Sequence, residues 1–146
     1  SNVHCLIVGK GEKETDLIKY VQQNKLKNIH FLGFRNDIPE ILSISDIITL
    51  LSFREGLPRC IMEAMASGKP LVVTNIRGSR DLVKHGVNGY VVNLRDEKSL
   101  IASLVRLINN KNLREKMGQA SLKLIQPYDL KNVLNEMWSI YSQFIV

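Results

Sequence analysis

Two carboxylates eight positions apart, Glu55 and Glu63, bracket the run Glu55-Gly56-Leu57-Pro58-Arg59-Cys60-Ile61-Met62-Glu63. Gly56 can take backbone angles closed to other residues, and Pro58 suits the first position of a helix, where its missing N–H would be unpaired anyway. A helix starting there leaves the amides of Leu57, Arg59 and Cys60 free at its mouth, where the helix dipole favours an anion. Glu63 then lies about 7.5 Å along the axis with its side chain leaning back toward the N-terminus. An anion at the mouth would have one carboxylate on each side, each able to accept hydrogen bonds from hydroxyls. That suits a ligand with phosphate in the middle and hydroxyls at both ends, such as a nucleotide sugar. The competing reading makes Glu63 a solvated helix residue and Glu55 a loop acid. It sits poorly with a helix that is otherwise Ile61, Met62, Ala64, Met65 and Ala66, where an idle acid is costly.

Other motifs add less. Gly9-Lys10-Gly11 is only a Gly-x-Gly, and Glu14 occupies the place where the dinucleotide fingerprint needs a small residue. An acid there repels pyrophosphate, so the glycines read as a tight turn that still leaves a ligand room to approach. Arg35, Arg54, Arg59, Arg77 and Arg80 all follow strands, on the edge where open α/β sheets bind ligands. Each alone reads as a surface residue; together they could offset a diphosphate. His30 and His85 read as structural. There is no Asp-x-Asp pair and no His or Cys cluster at metal spacing, so no metal is expected.

Strand and helix signals alternate to position these residues. Apolar runs predict strands at 3–8, 28–32, 47–51, 71–74 and 89–92, with helices at 12–24, 39–42, 58–67 and 79–84 between them. Gly68 ends the third helix, and Gly86 suits a left-handed cap after the fourth. Such alternation implies an α/β fold with a doubly wound parallel sheet. The C-terminal third is helical. Leu100, Ile101, Leu104, Val105 and Ile108 form one apolar face, and Leu113, Met117 and Leu124 another. Asp129 is placed to cap a last helix whose stripe runs through Val133, Met137, Trp138, Tyr141 and Phe144.

The 146 residues are enough for one domain, and 45% hydrophobic with 23% charged residues is ordinary for a globular protein. Two cysteines exclude a disulfide framework; Cys5 in a core strand and Cys60 in a helix read as reduced and buried, hence cytoplasmic. No run is long enough to span a bilayer, and the N-terminus does not read as a signal peptide. The net charge of +6 fits a mildly basic surface, an anionic substrate, or peripheral contact with acidic lipids on the inner face of the membrane. Scattered aromatics and the lack of a zinc or RNA-binding signature argue against nucleic acid.

Taken together, several segments resemble the C-terminal donor domain of glycosyltransferase family 4, retaining enzymes of the GT-B fold also known as glycosyl transferases group 1. They are Leu6-Ile7-Val8-Gly9-Lys10-Gly11, Ile29-His30-Phe31-Leu32-Gly33-Phe34, Ser45-Asp46-Ile47 and Val87-Asn88-Gly89-Tyr90-Val91-Val92. The specific one is Glu55-Gly56-Leu57-Pro58 leading to Glu63-Ala64-Met65-Ala66-Ser67-Gly68-Lys69-Pro70. The resemblance implies a Rossmann-like donor half, spanning 1–146, of a two-domain enzyme whose N-terminal acceptor domain is not in this chain. It implies a UDP- or GDP-sugar donor, a glycan or lipid-linked acceptor, hexose transfer without a metal or other cofactor, and a role in surface polysaccharide synthesis.

Carried over residue by residue, Glu55 faces the transferred sugar as the catalytic acid of the pair, and Glu63 binds the ribose. Gly56, Leu57, Pro58 and Arg59 hold sugar and diphosphate, with Gly9 and Gly11 beside them, and the Gly33-Phe34-Arg35 loop borders the base. One departure stands out. The loop after the fourth strand, Arg77-Gly78-Ser79-Arg80-Asp81, has Arg77 where the family has the first of two glycines, which questions a close backbone approach there. The alternatives are an epimerase or phosphorylase sharing the two-domain architecture, and a catalytically silent domain that binds a partner through its final helix.

Overall fold

The computed structural model describes residues 3–144, and the chain forms two compact units that meet between Ile38 and Pro39 in the sequence. In the first, β1 (Cys5–Val8) and β2 (Ile29–Gly33) are parallel strands joined through α1 (Glu14–Gln23). Register runs from Cys5 opposite Ile29 and slips between Ile7 and Val8. The slip coincides with Gly9, whose φ of +114° favours glycine and whose N–H donates to the Gly33 carbonyl at 2.7 Å. The sequence predicts a buried first strand, but no residue of β1, α1 or β2 is fully buried and Cys5 is exposed. A two-stranded ladder has no central strand to bury. His4 and His30 stack at 5.2 Å, and their ring nitrogens lie 2.9 Å apart.

The second unit carries the larger sheet. After α2 (Ile38–Ile44), β3 (Ile48–Leu50), β4 (Leu71–Thr74) and β5 (Gly89–Val92) pair in parallel in the order β3-β4-β5. Helix α3 (Arg59–Ala66) connects the first pair of strands and α4 (Ser79–Leu82) the second. All four residues of β4 are buried, which explains its unbroken Leu-Val-Val-Thr run: a central parallel strand has both faces covered. The expected parallel α/β architecture with a helical C-terminal region is present. The strands are hydrogen-bonded as two separate parallel ladders, with predicted spans 71–74 and 89–92 met in full.

Helices α5 (Glu97–Ile108) and α6 (Lys111–Ile125) complete the core. Leu107 and Met117 pack with Val72, Tyr90 and Val92, and Leu100, Leu104 and Leu113 close around them. Asp96 caps α5 by accepting from the Ser99 amide at 3.0 Å, and Asn110 caps α6 from Leu113 at 2.9 Å. A 3₁₀ turn at Gln126–Tyr128 leads into α7 (Leu130–Tyr141), where Asp129 accepts from the Lys131 amide as its spacing predicts. No residue of α7 is buried; Trp138 is 67% exposed. No helix among the described residues is long and apolar enough to cross a membrane.

The turn that ends α3 touches α6 backbone to backbone. A Cβ on Gly118 would stand 2.1 Å from the Gly68 carbonyl oxygen, and Ser121 Oγ donates to the Lys69 carbonyl at 2.8 Å. Gly68, where the sequence ends α3, has φ +66°, the left-handed conformation that stops a helix. Gly118→Ala is therefore expected to destabilise the protein by about 1–3 kcal/mol, despite alanine's better helix propensity; urea unfolding of the two proteins measures it.

Candidate functional site

The chain leaving β3 is held by the end of β4. Thr74 Oγ1, at the last position of β4, donates to the Ser52 carbonyl at 2.5 Å, and Ser52 Oγ donates to Glu55 Oε1 at 2.7 Å. Next to this, Gly78 has φ +83°, and a Cβ there would lie 2.1 Å from the Gly56 oxygen and 3.2 Å from that of Glu55. Only glycine permits both that angle and that approach. The Asp81 carboxylate accepts from the Gly78 amide at 3.2 Å. A close backbone approach therefore does occur in the 77–81 loop, at Gly78 and despite Arg77, and what it approaches is the Gly56 carbonyl, next to Glu55.

Helix α3 starts one residue later than the sequence suggests. Pro58, at φ −72° and ψ 109°, is extended and occupies the capping position; its carbonyl accepts from the Ile61 and Met62 amides. The amides of Leu57, Arg59 and Cys60 have no hydrogen-bond partner among the described residues, as the free first turn of a helix requires. Ile61, Ala64 and Met65 form the buried face of α3, and Pro58 is buried beneath its tip. Glu63 lies off that face with its side chain 44% exposed, 3.9 Å from Arg59 one turn back. So exposed a pair contributes little to stability, leaving the Glu63 carboxylate free for a ligand.

Cys60 records both acids. The sequence places it among buried residues, whereas it is exposed at the surface of the helix's first turn. Partial burial of the thiol is the main cause that raises its pKa above the ordinary value; the Ile61 amide opposes this, while the Glu55 and Glu63 carboxylates each add to it. In sequence the two acids flank the tip of α3, Glu55 four residues before its first residue and Glu63 on its second turn.

Beyond Glu63, an open groove of about 550 Å³ runs between α3 and the 3₁₀ turn leading into α7, lined by Arg59, Met62 and Glu63 and by Tyr128, Asp129 and Asn132.

The remaining predicted residues divide between the units. Gly9 and Gly11 stand at the end of β1, and Phe34 and Arg35 follow β2, all in the first unit. Phe34 is exposed, and Arg35 binds Asp37 through both oxygens, with Nε to Oδ1 at 2.7 Å. That hydrogen bond is the chief cause holding the Asp37 carboxyl below the usual carboxylate range, and it commits the Arg35 charge to a neighbour. Arg54, Arg77 and Arg80 are exposed in the second unit without an ion pair among the described residues. His85 accepts from the Val91 amide at 3.2 Å, a structural role as expected. Ser52 and Thr74 were not singled out by the sequence; a hydroxyl residue at the end of one strand and another just past its neighbour was the available signal.

The model of the family described as "Glycosyl transferases group 1" matches residues 1–124. The chain belongs to this family. A glycosyl transferases group 1 relative from Escherichia coli, "UDP-Gal:alpha-D-GlcNAc-diphosphoundecaprenol alpha-1,3-galactosyltransferase", is 37% identical over 97% of this chain and 37% of its own length. "Putative glycosyltransferase EpsD" of Bacillus subtilis is 30% identical over 81% of this chain and 31% of its own length. Among solved structures, Anabaena Alr3699/HepE in complex with UDP-glucose superposes with a TM-score of 0.86 at 27% identity, covering 97% of this chain and 41% of that one. The chain thus spans well under half the length of these relatives.

The Cys60 thiol offers a direct reading of the acids. In a Cys5→Ser background, the pH profile of Cys60 alkylation is expected to have its midpoint above that of an unstructured peptide cysteine. Replacing Glu55 and Glu63 with Gln should move the midpoint down, because each removes a charge that disfavours the thiolate. Iodoacetamide rates followed by mass spectrometry measure both shifts.

Proposed function

We propose that this chain is the donor-binding, C-terminal half of an enzyme that transfers a hexose from a nucleoside-diphosphate sugar to a glycan or lipid-linked acceptor, in surface polysaccharide synthesis. The observation that carries the reading is the tip of α3, where three amides have no partner among the described residues and the acids Glu55 and Glu63 flank them along the chain. The amides of Leu57, Arg59 and Cys60 would donate to the diphosphate. Glu63 would take the ribose hydroxyls, and Glu55, with Gly56 and Leu57 beside it, the hydroxyls of the sugar. Support comes from family membership, from the UDP-glucose named in the Anabaena complex, and from the lipid diphosphate acceptor in the name of the Escherichia coli enzyme.

As the sugar departs, negative charge grows on the diphosphate. Amides fixed by the helix stabilise that charge without reorganising, an effect largest where it differs between substrate and transition state. Arg59, on the first turn of α3, adds a cation at the same place. Transfer in this reading retains the configuration at the anomeric carbon and uses no metal; both features rest on the family resemblance.

Glu63→Ala is expected to weaken UDP or GDP binding by roughly tenfold or more, the scale of losing a hydrogen bond to a charged group. Calorimetry with each nucleotide tests this. Unchanged affinity would remove the ribose role.

A further inference from the structure

We propose that Ser52 is the positioning residue for Glu55, and that Thr74 positions Ser52 in turn. The inference rests on the donor-site reading above and adds a role for two residues outside the Glu55–Glu63 segment. A serine hydroxyl has one proton to donate, and that of Ser52 goes to Glu55 Oε1 at 2.7 Å. Glu55 Oε2 has no partner among the described residues, so one oxygen is tethered and the other is left for a substrate hydroxyl. The tether works only if Ser52 is itself still. Its carbonyl receives the Thr74 hydroxyl at 2.5 Å, and Thr74 is buried at the end of the central strand β4, the least exposed strand of this sheet.

Gly78 closes the other side. Its backbone lies against the carbonyls of Gly56 and Glu55, so close that a Cβ would stand 2.1 Å from the first oxygen and 3.2 Å from the second. The carboxylate is thereby held from three directions: by its own side-chain hydrogen bond, by the strand beneath Ser52, and by the glycine packed on its peptide. An acid on a loop that must meet a particular sugar hydroxyl gains from such restraint, because a freely rotating carboxylate would lose entropy on binding.

The test uses the full-length protein and calorimetry with UDP, UDP-glucose, UDP-galactose, GDP and GDP-mannose. Ser52→Ala is expected to weaken the preferred nucleotide sugar about tenfold while leaving the bare diphosphate within twofold. Ser52→Thr, which keeps the hydroxyl, should restore most of the loss, and Thr74→Val should give a smaller, sugar-specific loss. Added to Glu55→Gln, Ser52→Ala should cost nothing further, since the group it orients has already been changed. An equal loss for sugar and diphosphate, no loss at all, or full additivity with Glu55→Gln would overturn the role of Ser52 and leave the donor site standing. Wild-type protein that binds none of the five compounds, or binds nucleotide sugars no differently from diphosphates, would overturn the sugar contact of Glu55 and this inference with it.

Discussion

A carboxylate on a loop is only as well placed as the backbone beneath it, and in this protein that backbone is anchored by a neighbouring strand. Thr74 ends β4 with its hydroxyl bonded to the Ser52 carbonyl, and Ser52 passes the restraint to Glu55. The anchor is effective because β4 lies between β3 and β5 with every residue buried. Gly78 contributes by what it lacks: a Cβ there would meet the Gly56 carbonyl. The loop after β3 and the loop after β4 are thus one mechanical unit, and the start of α3 inherits its position from them.

The same arrangement explains why the helix tip can hold charge. Pro58 is buried and extended, so the first amides of α3 have no preceding turn to bond and no side-chain cap. In most helices such orphans find a Ser, Thr, Asp or Asn, as Asp96, Asn110 and Asp129 do for α5, α6 and α7. Of the long helices in the second unit, α3 alone begins without one among the described residues. First amides left without a side-chain cap add nothing to stability; the uncapped tip is intelligible as a place prepared for an anion whose hydroxyl-bearing ends need acceptors.

Packing elsewhere serves that tip. The buried side of α3 rests on the sheet and on α6, where Gly68 and Gly118 bring the two backbones into contact. Burial on one face leaves Glu63 and Arg59 on the other, weakly paired and accessible. The apolar stripe of α7, by contrast, is exposed along its length and takes no part in the core.

Much of this was legible in the residues. Aliphatic runs marked the strands, and the central strand 71–74 was unmistakable because a doubly covered parallel strand leaves little room for polar residues. The Glu55–Glu63 spacing with Gly56 and Pro58 located the helix tip, since helix geometry is local. The cap at Asp129 was equally local, set by a side chain two residues from its partner; Gly86 takes the left-handed φ expected of it but caps no helix, because α4 already ends at Leu82 with the extended Val83 after it. Burial was not local. Cys5 and Cys60 look like core residues in an apolar run, yet both are exposed, because which side of a strand or helix is covered depends on neighbours distant in sequence. The same holds for Ser52, Thr74 and Gly78, which lie up to 26 positions apart and acquire meaning only when parallel strands bring their ends together. Local sequence could specify the acids and the helix between them; the contacts that hold the first acid in place cross between strands, and only the folded sheet brings those residues within reach.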